Sequence, residues 1–149
     1  MADQRNIIKA IDSFYEEVIN NYKELERQVA NESKILSIFK KVDYKARIAK
    51  FKELKKRAQT INLKKIEIDN DDEFSSDAKE ALGRSISLFV DLINFQVTFH
   101  TMLLKKSEGE KIQMVDYRKA VYNIQKATEI LQNGLRNMDA VYANLEENQ

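Results

Sequence analysis

A chain of 149 residues with 43% hydrophobic and 33% charged side chains is the size of one domain able to bury a core of its own. With no Pro, no Trp and three Gly, the usual punctuation of β-rich and loop-rich folds is missing, so the expectation is a single all-α domain spanning residues 1–149. The absence of Cys excludes disulfides, thiolate metal sites and cysteine nucleophiles, and 25 basic against 24 acidic residues leave a net charge of only +1.

The opening "MADQRNIIKAIDSFYEE" carries charges throughout and has no apolar run ahead of a small-residue cleavage site, which reads as a cytoplasmic start rather than a secretory signal. Ile8, Ile11, Tyr15, Val18, Tyr22, Leu25 and Val29 then alternate spacings of three and four, a coiled-coil-like seam. This predicts a long first helix over 3–41, starting near Asp3, with Leu36 and Phe39 continuing the register. Glu32 falls on the seam, and Asn31 or Ser33 is where a kink or break is expected.

Asp43 is placed to cap a second helix over 43–62. Tyr44, Ile48, Phe51, Leu54, Ala58 and Ile61 form its apolar stripe, and Lys and Arg residues are expected over the rest of its circumference. Residues 40–65 hold eleven Lys or Arg against Asp43 and Glu53, a local charge of +9 that leaves −8 on the remainder. Such a helix can attract a polyanion, and Lys45, Lys52, Lys55, Lys56 and Arg57 are the candidate contact residues. Lys predominance favours diffuse attraction to phosphates over base reading, which uses the planar Arg fork. The competing reading is a solvated face, partly neutralised by the acids that follow at Glu67, Asp69, Asp71, Asp72, Glu73, Asp77 and Glu80. Binding of the same helix to an anionic membrane surface is a lesser alternative.

Residues 63–75 lose helical periodicity and are expected to form a loop. Asp69, Asp71, Glu73, Ser75, Asp77 and Glu80 fall at the ligand positions of an EF-hand-like loop, but Phe74 stands where the sharp turn wants Gly, and Ser76 replaces the usual hydrophobic anchor. A capped helix entrance explains the acids without a metal, and neither a metal nor a cofactor is expected. Asp77 with Glu80 suits a capping box for a third helix over 76–106. Leu82, Ile86, Phe89, Ile93, Val97, His100 and Leu104 follow one face of it, and Leu88, Leu92, Phe95, Phe99 and Leu103 widen that face into a central helix. The run from Ile86 to Leu104 is about long enough to cross a bilayer, but Asp91, Asn94, Gln96 and His100 argue for a bundle core and no transmembrane segment.

Gly109 supplies a turn, and a fourth helix is expected over 111–147. Met114, Tyr117, Val121, Ile124, Thr128, Leu131, Leu135, Met138, Tyr142 and Leu145 alternate three and four without a slip. Gly134, inside this helix, reads either as a close backbone approach or as simple tolerance.

His100 is the single His. Phosphotransfer through it is the least supported reading, since Leu103 and Leu104 stand where phosphotransfer motifs keep Lys and Gly, and its register places it in the core. A di-iron site would need Glu-x-x-His pairs that the chain lacks, and no glycine-rich nucleophile elbow is present. The expectation is an elongated four-helix bundle with coiled-coil-like first and fourth helices. Its expected role is that of a non-enzymatic interaction, adaptor or assembly protein. The short second helix leaves seams on the long ones to be covered by a protein partner or, most economically, by a homodimer.

Overall fold

A computed structural model describes residues 4–39 and 42–147, the side chains of 33–39 excepted. The expected start at Asp3 and the seam positions Leu36 and Phe39 therefore lie outside the described residues or side chains. The chain is an all-α bundle of four helices, with no strand among the described residues.

The first helix is continuous and contains α1 (Gln4–Ser13), a π-helical turn (Phe14–Ile19) and α2 (Asn20–Phe39). No break occurs at Asn31 or Ser33. In the π turn, the Asn20 amide donates to the Tyr15 carbonyl, one residue further back than an α-helix allows. The extra residue moves the contact line. From Val18 onward the buried positions are those of the predicted seam, Val18, Tyr22 and Leu25. Upstream, Ile7 and Phe14 are fully buried in place of Ile8 and Tyr15, which are half-buried, and Ile19 is buried as well. Periodicity cannot anticipate that step, because an i→i+5 turn leaves no composition signal.

Asp43 caps α3 (Tyr44–Gln59), its carboxylate accepting from the Ala46 amide at 2.9 Å. Phe51, Leu54 and Ala58 are buried as the stripe requires. After α3, a 3₁₀ turn (Leu63–Lys65) and a bend at 69–72 occupy the expected loop. The loop is shorter than predicted, because α4 (Glu73–Ser107) starts three residues before Ser76. Its cap is Asp72, not Asp77. The Asp72 carboxylate accepts from the amides of Phe74 and Ser75 and from the Ser75 hydroxyl, and it takes a further hydrogen bond from Gln4 at 2.5 Å. These bonds hold its carboxyl below the ordinary carboxylate range, the Gln4 bond being the largest cause. The local competition between Asp72 and Asp77 is decided by burial: Ser75 and Ala78 pack into the core only if the helix begins at Glu73.

α4 is the central helix and packs against α1, α3 and α5. By length and composition alone it could also cross a membrane, with 28% of its most apolar window buried in the bundle. Gly109, at φ 95°, makes the turn into α5 (Met114–Glu147), which begins three residues later than predicted. α5 returns along α4, and its end is tied to the first helix. The Tyr15 hydroxyl bonds to Asp139 and to the Leu135 carbonyl, and the Tyr142 hydroxyl donates to Asp12 at 3.0 Å.

Gly134 marks a close approach. A Cβ there would lie 2.8 Å from a terminal methyl of Leu88 and 3.8 Å from the Ser85 hydroxyl. Gly134→Ala is expected to be near neutral, since a swing of the Leu88 methyl offsets the helix-propensity gain of about 1 kcal/mol. Gly134→Leu is expected to destabilise by about 1–3 kcal/mol, read as a lower urea midpoint at unchanged slope. An unchanged midpoint would show that α4 and α5 do not need that contact.

Candidate functional site

At 100° per residue, Phe51, Leu54 and Ala58 set the core direction of α3, and Lys45, Lys52 and Lys56 fall within about 40° of one another on its outward side, with Ala49 and Glu53 beside them. All three lysines are exposed, and none is within ion-pairing distance of a carboxylate among the described residues. Their row extends about 16 Å along the helix at 1.5 Å per residue. The other two predicted contact residues sit on the flanks. Lys55 leans to α4 and donates to the Asn94 side-chain carbonyl at 2.8 Å. Arg57 lies on the α2 side, 3.5 Å from Glu53. There it lines a shallow groove of about 330 Å³ with Glu24, Gln28 and Lys50.

Arg47 departs from the expectation that every Lys and Arg of this helix faces outward. It is 5% exposed and points into the bundle. Its Nη2 and Nε lie 3.1 and 3.2 Å from a Glu32 carboxylate oxygen, and Nη2 also reaches the Val29 carbonyl at 3.5 Å. The guanidinium carbon stands 5.5 Å over the Tyr44 ring. A charge this deep needs such partners, because leaving it unpaired costs several kcal/mol. Glu32, the odd residue on the first seam, is there to meet Arg47. A seam acid followed fifteen residues later by a basic residue on an apolar stripe was the only sequence signal of this pair.

No ion pair joins the acidic run to the lysine row among the described residues. Asp69 and Asp72 are engaged in the bend and the α4 cap, and Lys79 donates to the Ile66 carbonyl at 3.0 Å. From Glu73 on the backbone is helical, which sets Glu73, Asp77 and Glu80 in line along one face of α4 and Ser75 on the other side, rather than wrapping them about a point. Ser75 is buried, while Asp77 and Glu80 face an open polar groove of about 670 Å³ with Arg84, Asn133 and Asn137.

His100 is 2% exposed. Its ring stacks on Phe51 at 5.0 Å between centroids and meets the Phe99 ring nearly edge-on at 5.4 Å. Nδ1 has no hydrogen-bond partner. An imidazole enclosed this way offers no path to a phosphate donor. Burial, and secondarily the Arg47 charge, lower its pKa from 6.5 to about 4.

The second open feature is the turn end of the α4–α5 hairpin. Met114, Val115 and Tyr122 are 61%, 71% and 62% exposed, and Tyr117, though its ring touches Phe99, is 36% exposed. Met114 and Tyr117 line a groove of about 340 Å³ together with Met102, Leu103, Lys106 and Ile112. The unslipped α5 seam is exposed at Met114 and Tyr117, half-buried at Val121, Ile124 and Thr128 with Ile124 packed on the core, and fully covered at Leu131, Met138 and Leu145. Val115 and Tyr122 lie off that seam, so its spacing alone did not point to them.

The depressed His100 pKa has a defined pH consequence. The unfolded chain takes up a proton near pH 6.5 that the folded chain refuses until about 4. Stability is therefore complete above pH 6.5 and declines as pH falls toward 4, by at most roughly 3 kcal/mol. Thermal melts at pH 7 and 4.5 are expected to show a smaller drop in Tm for His100→Phe than for the wild type; equal drops would remove His100 as the cause. The chain matches no protein-family model, no curated protein and no solved structure.

Proposed function

We propose that the protein is a non-catalytic helical assembly subunit that associates with a second copy of itself through the turn end of the α4–α5 hairpin. The observation that carries this reading is the exposure of four large side chains, Met114, Val115, Tyr117 and Tyr122, within the first nine residues of α5. Large apolar and aromatic side chains exposed together at one end of a bundle mark association surfaces more often than single exposed ones.

A second copy fits because knob and hole lie side by side. Val115 protrudes at the start of α5, and Met114 and Tyr117 line a groove together with Met102, Leu103 and Ile112. A two-fold axis through this patch sets each copy's protrusion in the other's groove and joins the two forward seams as in a short coiled coil. The remainder of the molecule supports a role without catalysis, since its one imidazole is enclosed and it carries no thiol.

Light scattering coupled to size exclusion, over roughly a hundredfold range of concentration, is expected to give a mass rising from 17.4 kDa to twice that value. Val115→Glu with Tyr117→Glu is expected to hold the chain at the monomer mass while leaving its helical circular dichroism unchanged. A monomer mass for the wild type at every concentration would falsify the proposal.

A further inference from the structure

We infer that the outward row Lys45, Lys52 and Lys56 of α3 is a docking surface for the phosphate backbone of a nucleic-acid duplex, separate from the self-association surface at the hairpin end. Four observations support it. First, the row lies exposed on the outward side of α3, so the packing of the helix makes no use of it. Secondly, in a chain with 24 acidic residues, these three cations are left without a carboxylate among the described residues. The neighbouring acids are engaged elsewhere: Asp72 in the α4 cap and Glu32 on Arg47. Holding like charges in line without neutralisation costs free energy in the isolated protein and is repaid by an external anion.

Thirdly, the face carries no apolar or aromatic group larger than Ala49. A membrane-surface helix needs its apolar side in the lipid, and that side of α3 is in the core, occupied by Phe51, Leu54 and Ala58. Protein partners are usually anchored by buried aromatic or aliphatic side chains, and single-stranded nucleic acids by stacking rings, neither of which this face offers. What remains is a purely electrostatic contact. Fourthly, the length suits it. A duplex presents one negative charge per about 1.7 Å of its axis, so a row of about 16 Å meets phosphates in any register. Lysine point charges bind that field without reading bases.

The test is fluorescence anisotropy with labelled DNA duplexes of two unrelated mixed sequences. Both are expected to bind alike, and about three phosphate contacts predict an affinity falling about 40-fold between 50 and 200 mM salt. Lys45→Glu, Lys52→Glu and Lys56→Glu together are expected to abolish binding with unchanged circular dichroism, and the Lys→Gln version of the triple variant to weaken it strongly. Lys9→Glu, Lys23→Glu and Lys126→Glu, exposed on the first helix and on α5, serve as the charge-matched control and are expected to retain most of it. Three results would overturn the inference: no binding to duplex at 50 mM salt, equal loss in the control variant, or binding to phosphatidylglycerol vesicles without binding to duplex. The measurement does not depend on oligomeric state, since a Val115→Glu, Tyr117→Glu chain keeps the lysine row intact.

Discussion

The bundle depends on one file of ring contacts that crosses it from helix to helix. Phe14, in the π turn, meets Phe89 of α4 at 6.2 Å and nearly perpendicular; Phe89 meets Tyr22 of α2 at 5.5 Å, again edge to face; and Tyr22 meets Phe51 of α3 at 6.3 Å. Phe51 then packs on His100 at a tilt, His100 meets Phe99 nearly edge-on, and Phe99 touches Tyr117 of α5. Each edge-to-face pair is worth about 0.5–1.5 kcal/mol beyond the area it buries, and the file links every long helix. Aliphatic side chains fill the space around it. The π turn carries two of the buried side chains in this region, Phe14 and Val18.

Polar groups inside the bundle are admitted where the file needs a neighbour that is also bonded. Gln96 donates to the Tyr22 hydroxyl at 2.9 Å, and Glu26 accepts from that hydroxyl; burial, the largest cause, pushes both the phenol and the carboxyl upward. Arg47 reaches Glu32 across from α3 to α2. A buried ion pair contributes little net stability, but it fixes which residue faces which, and a slip of α3 against α2 would leave a guanidinium unpaired in the core. The same placement explains the outer surface. Once Arg47 is committed inward, the helix's remaining charge is carried by side chains that packing leaves free to face solvent.

Much of this was legible in the sequence. Helix number, the all-α class, the Asp43 cap, the stripe of α3, the central position of α4 and the turn at Gly109 all follow from periodicity and from the absence of Pro, because those signals are local. Three features were not. The π turn is chosen by tertiary contact of Phe14 and leaves no mark on spacing. The start of α4 depended on whether Asp72 or Asp77 won the cap, and burial of Ser75 decided it. The inward turn of Arg47 required knowing that Glu32 lay opposite. For the lysine row the sequence held the charge and the face; what it could not hold was the destination of the nearby acids, which the loop geometry turns elsewhere.

The hydrogen bonds from Tyr15 to Asp139 and from Tyr142 to Asp12 join residues 124 and 130 positions apart, whereas α4 and α5 are joined by one short turn. Loop closure is least costly for the hairpin and most costly for these terminal contacts. The hairpin can therefore assemble from neighbours in the chain, and its rigid edge serves as the template on which α1 is later registered. Phe14 of the first helix packs on Phe89 of α4, so loop-closure cost and ring packing favour the same order, with the first helix, though it leads the chain, fastened after the hairpin.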